Sequence, residues 1–173
     1  MSAHVSRLCK TPAAPVAQPE VMNTASKIET HIVSATFKVT SWTEEKVYRI
    51  DGRTVEISGV AYPAHGFNRA DVGYSYQGDI SGTGTLAYLI AYIEGADAPT
   101  VGFEVFEGSI DGHEGSLVLQ HNGFHNTAGV HERLDIVEGL GTGGLATMSG
   151  YAAIEIAGHS EAGYPITLHY TMS

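Results

Sequence analysis

Residues 101–122 read VGFEVFEGSIDGHEGSLVLQHN. Two alternating runs flank Asp111-Gly112. Asp-Gly suits the type I′ turn because both central residues need positive φ. A two-residue loop sets Ile110 opposite His113, Glu104 opposite Leu119 and Gly102 opposite His121. Side chains alternate across a sheet with period two. One face therefore carries Gly102, Glu104, Phe106, Leu117, Leu119 and His121. The other carries Phe103, Val105, Glu107, Ser109, Ser116, Val118, Gln120 and Asn122. The first face is mainly apolar, yet near one end it holds a carboxylate and an imidazole. Glu104 and His121 are diagonal neighbours, an offset that long side chains bridge. This register holds unless a bulge interrupts it.

The same grammar extends outward. From Ile28 onward the chain is a series of short alternating runs punctuated by glycine and rich in Val, Ile, Thr, Tyr and Phe, as strands prefer. Strands are expected at His31–Trp42, Lys46–Ile50, Arg53–Ala61, Val72–Ile80, Gly84–Ile93, Thr100–Ile110, His113–Asn122, Gly129–Val137, Tyr151–Ala157 and Pro165–Met172. A second hairpin is expected at Asp51-Gly52. No segment carries a useful apolar stripe of helical period. A long meander of this kind tends to close, because closure removes exposed edges. The expected fold is all-β, a closed antiparallel barrel of about eight strands with a pocket in its lumen. A two-sheet sandwich is the alternative. Residues 1–27 carry Pro12, Pro15 and Pro19 among small residues without periodicity, and read as a flexible N-terminal extension ahead of a single domain over 28–173.

Composition narrows the function. Hydrophobic residues make up 43% and charged residues 16%, a globular balance too apolar for disorder. The net charge of −10 and the lack of any Lys/Arg cluster disfavour nucleic acid and anionic membrane surfaces. The single cysteine, Cys9, excludes an intrachain disulfide and a Cys-based zinc site. No apolar run is long enough for a membrane helix, and the N-terminus lacks the apolar core of a signal peptide, so a cytoplasmic location is expected.

Among candidate sites, the Glu104–His121 pair comes first. Burial raises a carboxyl pKa and a nearby imidazolium lowers it, so such a pair in an apolar cavity can move a proton near neutral pH. A structural ion pair is the competing reading. Tyr74, Tyr76, Tyr88 and Tyr92 are spaced for one face of each of two strands, where tyrosines give an apolar body and an orienting hydroxyl. His121, His125 and His131 invite a metal site, but no His-Glu-x-x-His pattern supports it, and no metal or cofactor is expected. Gly139–Gly144 lacks the Lys-Ser/Thr of a phosphate loop and reads as an interstrand turn. Ser109 and Ser116 lack the Gly-x-Ser-x-Gly elbow of a hydrolase. Nothing places Glu155 or His159 in the pocket.

Several stretches resemble the DUF3224 family. They are Gln77–Gly82, Tyr88–Tyr92, Val101–Glu104, Gly108–Gly112, Gly115–His121 and Gly139–Leu145, with Gly115–His121 the most specific. The likeness runs from about Ala35 to Tyr170. The family is similar in fold to the allene oxide cyclase barrel, and this implies about eight antiparallel strands with a pocket at one end. Barrels of that type include cofactor-free cyclases and isomerases acting on apolar substrates. Two positions depart from the family's pattern: Val105 and His113 stand where arginines are frequent. The segment Gly52–Asn68 is longer than usual and is expected to cover the mouth as a lid.

The first functional reading is a cofactor-independent isomerase, cyclase or lyase acting on a small apolar substrate. Glu104 and His121 exchange a proton, Tyr88 and Tyr92 position the ligand, and Tyr76, Phe106, Leu117 and Leu119 line its pocket. The alternative is a lipocalin-like binding protein that releases its ligand unchanged. A third reading is a structural oligomer-forming domain with a plugged lumen. Homo-oligomers are plausible in each case.

Overall fold

The computed structural model describes residues 29–57, 59–158 and 160–173. The N-terminal extension, Cys9 and His159 lie outside these residues. Ten strands follow one another: β1 His31–Arg49, β2 Thr54–Ile57, β3 Val60–Pro63, β4 His65–Gly78, β5 Ile80–Ile93, β6 Ala98–Ile110, β7 His113–Asn126, β8 Gly129–Ile136, β9 Met148–Ile156 and β10 Tyr164–Met172. Eight of them close a barrel in the order β1-β10-β9-β8-β7-β6-β5-β4, all antiparallel. From β4 onward each strand pairs with its successor, and β10 returns to β1. The closed sheet leaves no free edge within the barrel. This settles the choice between barrel and sandwich.

The β6–β7 hairpin has the register its turn dictates. Ile110 faces His113, Glu104 faces Leu119 and Gly102 faces His121. Asp111 and Gly112 both take positive φ, 51° and 80°. Asp111 bears that conformation and also accepts a 2.7 Å hydrogen bond from the Tyr170 hydroxyl.

The Asp51-Gly52 hairpin does not form. β1 pairs with β4 here, and the Ile50 N–H bonds to the His65 carbonyl. Asp51 keeps negative φ and turns its carboxylate onto the Arg53 backbone N–H at 3.0 Å, a local Asx-type turn rather than a type I′ hairpin. The expected strand Arg53–Ala61 is broken into β2 and β3, which pair only with each other. Conversely, His31–Trp42 and Lys46–Ile50 are one strand. Nothing between them breaks the chain, and β4 supplies partners along the whole length, with irregularities at Val39/Ser41 and Lys46/Tyr48.

Alternate residues fill the interior. Val72, Ile80, Leu86, Phe106, Ile110, Leu117, Leu134, Ile166, Leu168 and Tyr170 are all buried in one cluster. Burying each such side chain contributes about 1.5–3 kcal/mol. The glycine-rich loop ends in a short turn, Gly143–Leu145, that sends Leu145 into this core. One end of the barrel carries Asp79 and the Asp111-Gly112 turn. The opposite end is the mouth, formed by the β5–β6, β7–β8 and β9–β10 connections. The β2–β3 hairpin stands beside it, with Tyr62 against Tyr92 at 5.1 Å between ring centroids.

Candidate functional site

Five strands, β4 to β8, build a buried polar chain toward the mouth. Glu104 on β6 and His121 on β7 are fully enclosed, each 0% exposed. The His121 Nε2 lies 2.9 Å from Glu104 Oε2. Its Nδ1 lies 2.9 Å from Oε2 of Glu132 on β8. Tyr76 donates to Glu104 Oε1 at 2.7 Å, and Thr100 donates to Glu132 Oε1 at 2.9 Å. Tyr88 donates to Glu132 Oε2. The result is carboxylate, imidazole, carboxylate, with hydroxyls on the remaining oxygens.

Glycine makes room for one carboxylate. A Cβ on Gly84 would lie 1.8 Å from Glu104 Oε1, so any larger residue there displaces the network. Gly123, beside Glu132, is required first by backbone, since its Cβ would lie 2.0 Å from the His131 carbonyl oxygen.

The electrostatics follow from this geometry. Burial works against charge on His121, but its hydrogen bonds to Glu104 and Glu132, with their negative charge, outweigh that and raise its pKa. Burial likewise acts to raise the Glu132 pKa, but hydrogen bonds from His121 and Tyr88, with the His125 ring close by, prevail and hold it well below the usual carboxylate range. Burial pushes the Tyr76 hydroxyl up, and the Glu104 charge adds to the effect. Burial does the same for Tyr88, with Tyr74 and Glu132 contributing. Both tyrosines are therefore neutral donors, and a carboxylate oxygen faces each ring nitrogen of His121.

Glu132 is the member of this chain that meets open space. With Tyr88, His125, Trp42, Tyr74 and Ile154 it lines a chamber of about 190 Å³. His125 lies with Nε2 3.6 Å from Glu132 Oε1, buried and without a hydrogen bond. It also lines a groove of about 510 Å³ at the mouth, with Tyr92, Pro63 and the β5–β6 turn. Chamber and groove thus meet at His125.

The residues expected at the site divide into four places. Glu104 and His121 come together as the alternation requires, behind Glu132. Tyr88 borders the chamber. Tyr76, Phe106, Leu117 and Leu119 line a separate, wholly apolar cavity of about 20 Å³, room for about one water. Tyr92 sits at the mouth, where its hydroxyl donates to Glu44 at 2.7 Å. His131 faces outward, stacked on Phe124 at 5.0 Å, so the three histidines do not converge. Among the described residues no group of His, Cys, Asp or Glu is placed to hold a metal ion. Glu155 is exposed, paired with outward His131.

Glu132, Trp42 and Glu44 are absent from the sequence-based site, and His125 enters it only as a candidate metal ligand. The alternation of Glu132, Leu134 and Ile136 is a legible signal for the first. Trp42 and Glu44 are another matter. Between Val39 and Ser41 the β1–β4 register slips by one residue. This bulge turns Trp42 and Glu44 inward. Trp42 then lines the chamber, and Glu44 accepts from Asn68 Nδ2 and Tyr92.

Residues 33–168 match the model of a family described as "Protein of unknown function (DUF3224)". The chain belongs to the DUF3224 family. The matched span contains Glu104, His121, Glu132 and every residue lining the chamber. A crystal structure of a DUF3224 protein of unknown function from Shewanella oneidensis MR-1 is similar, with a TM-score of 0.66 and 22% identity. The match covers 84% of this chain and 99% of that one, and at this identity the likeness speaks for the fold. No curated protein matches the chain.

Proposed function

We propose that this barrel takes a small, largely apolar molecule into the chamber beside Glu132. One observation carries the reading: a buried carboxylate, braced by His121 and Glu104, borders an otherwise mostly apolar and aromatic space of about 190 Å³. A dry cavity of about 150 Å³ already admits benzene, so one ring or a short branched chain fits. Binding without chemistry is the reading the geometry favours. Glu132 is held ionised and is a weak base, and Glu104 and His121 are enclosed with their polar atoms already partnered. Such a protein would act as a small lipocalin-like carrier.

One feature favours the second reading, a cofactor-independent isomerase, cyclase or lyase. His125 stands at the junction of chamber and groove with Glu132 behind it. That is the arrangement of an imidazole oriented for proton transfer. In this version His125 moves the proton, and the Glu132–His121–Glu104 chain positions it.

A panel of small cyclic ketones in D₂O separates the two. Binding is read by fluorescence of Trp42, the only tryptophan in the chain. Proton abstraction is read by deuterium uptake beside the carbonyl. Binding without added exchange is the expected result. Exchange above buffer that His125→Gln removes establishes the proton-transfer version. Failure of every panel member to bind contradicts the chamber as a ligand site.

Self-association is part of the same proposal. Leu89, Val101, Phe103 and Val105 are exposed on the outer face of β5 and β6. Contiguous apolar surface of this kind marks contact sites. Light scattering should show an oligomer that Phe103→Lys disperses, and a monomer at all concentrations removes this part.

A further inference from the structure

We propose that the chamber is a site for a compact organic ammonium ion, held by aromatic walls and by the Glu132 carboxylate. The inference rests on the chamber being the ligand site and names what it selects.

The charge count comes first. His121 has a carboxylate oxygen 2.9 Å from each ring nitrogen. A ring that donates from both nitrogens carries one positive charge, while Glu104 and Glu132 carry two negative ones. Tyr76, Tyr88 and Thr100 satisfy oxygens but bring no charge. One negative charge is left over inside the barrel. His125 Nε2 lies 3.6 Å from Glu132 Oε1 and makes no hydrogen bond to it. Neither Lys nor Arg lines the chamber or the groove. A buried charge without its counterpart is costly, and a cation placed beside it relieves that cost.

The walls point to the kind of cation. Phe37, Trp42, Tyr74, Tyr88 and Tyr164 contribute five aromatic rings to the chamber. Ring faces attract cations, and quaternary ammonium groups are recognised by cages of this composition. A hydrated metal ion would find carboxylate but few other oxygens, whereas an alkylammonium head presents its charge through apolar methyl groups. The chamber, about 190 Å³, suits such a head, and the groove beyond His125 leaves room for a short substituent. Asp97 on the groove acts in the same direction and disfavours a carboxylate ligand, whereas Glu94 is paired with Arg53 at 2.8 Å.

The test compares choline with its neutral carbon isostere, dimethylbutanol, by calorimetry on the full chain at mildly alkaline pH. Choline should bind about tenfold more tightly than the alcohol. In Glu132→Gln the preference should vanish. Because that variant risks misfolding, Trp42→Leu at the half-exposed rim provides a second arm. It should weaken choline several-fold while leaving the circular dichroism unchanged. Equal or tighter binding of the alcohol overturns the ammonium assignment and leaves the chamber reading standing. Binding of neither molecule overturns both.

Discussion

Glu132 couples a sealed interior to an open chamber, and its chemistry sets how the molecule responds to pH. Its folded pKa is depressed, so its contribution is present above the ordinary carboxyl value of 4.5 and is lost as pH falls below it. His121 has a raised folded pKa. Its contribution is complete below the ordinary value of 6.5 and is lost as pH rises through the folded value. Stability from this pair should therefore be greatest between these two values and decline on either side. Urea unfolding across that range tests it, with Glu132→Gln expected to flatten the acid limb. An unchanged acid limb in that variant would assign the effect to other carboxylates.

Gly84 belongs to the same scale. Its φ is ordinary, so the requirement for glycine is steric, set by the Glu104 oxygen in its Cβ position. Gly84→Ala should cost about 1–3 kcal/mol, the range for overpacking. Gly82→Ala is no control, since backbone crowds that site as well. Gly139→Ala is a better one, with open space around it, although its φ of 83° adds some strain. A Gly84→Ala protein as stable as the parent would mean Glu104 lies elsewhere.

Among the elements, β6–β7 was legible and β1 was not. The reason is physical. A type I′ turn fixes register from two residues, Asp111 and Gly112, and side-chain alternation then places Glu104 and His121 without further information. Asp51-Gly52 carries the same dipeptide, but a long pairing of β1 with β4 overrides it. A bulge has no comparable sequence signature, and it decides which way Trp42 and Glu44 point. Deleting Thr40 should remove the bulge and leave Trp42 and Glu44 in step with inward Val39, so both still face the interior. Trp42 fluorescence should keep its maximum, and the hydrogen bonds of Glu44 to Asn68 and Tyr92 should survive. A red-shifted spectrum in a folded deletion variant would place the register slip elsewhere.

For the whole molecule, the closed barrel follows from short strands, tight turns and the need to hide edges, all of which are visible locally. The site is less so, because it is assembled across closure. Glu104, His121 and Glu132 come from three successive strands, whereas Phe37 and Trp42 arrive from β1, which meets the others only through β4 and β10. The apolar half of the barrel and the polar half near the mouth also look alike as alternating runs. This is why Phe106 and Leu117 were assigned to a ligand pocket yet border a cavity of only about 20 Å³.

The protonation of His121 can be observed directly. Nitrogen-resolved NMR of the histidine side chains, with His121→Gln for assignment, should show both ring nitrogens of His121 protonated at neutral pH. Each should carry a slowly exchanging, hydrogen-bonded proton. A single protonated nitrogen, with the other bare, would mean a neutral ring beside a protonated carboxyl group, and would contradict an imidazolium held between two carboxylates.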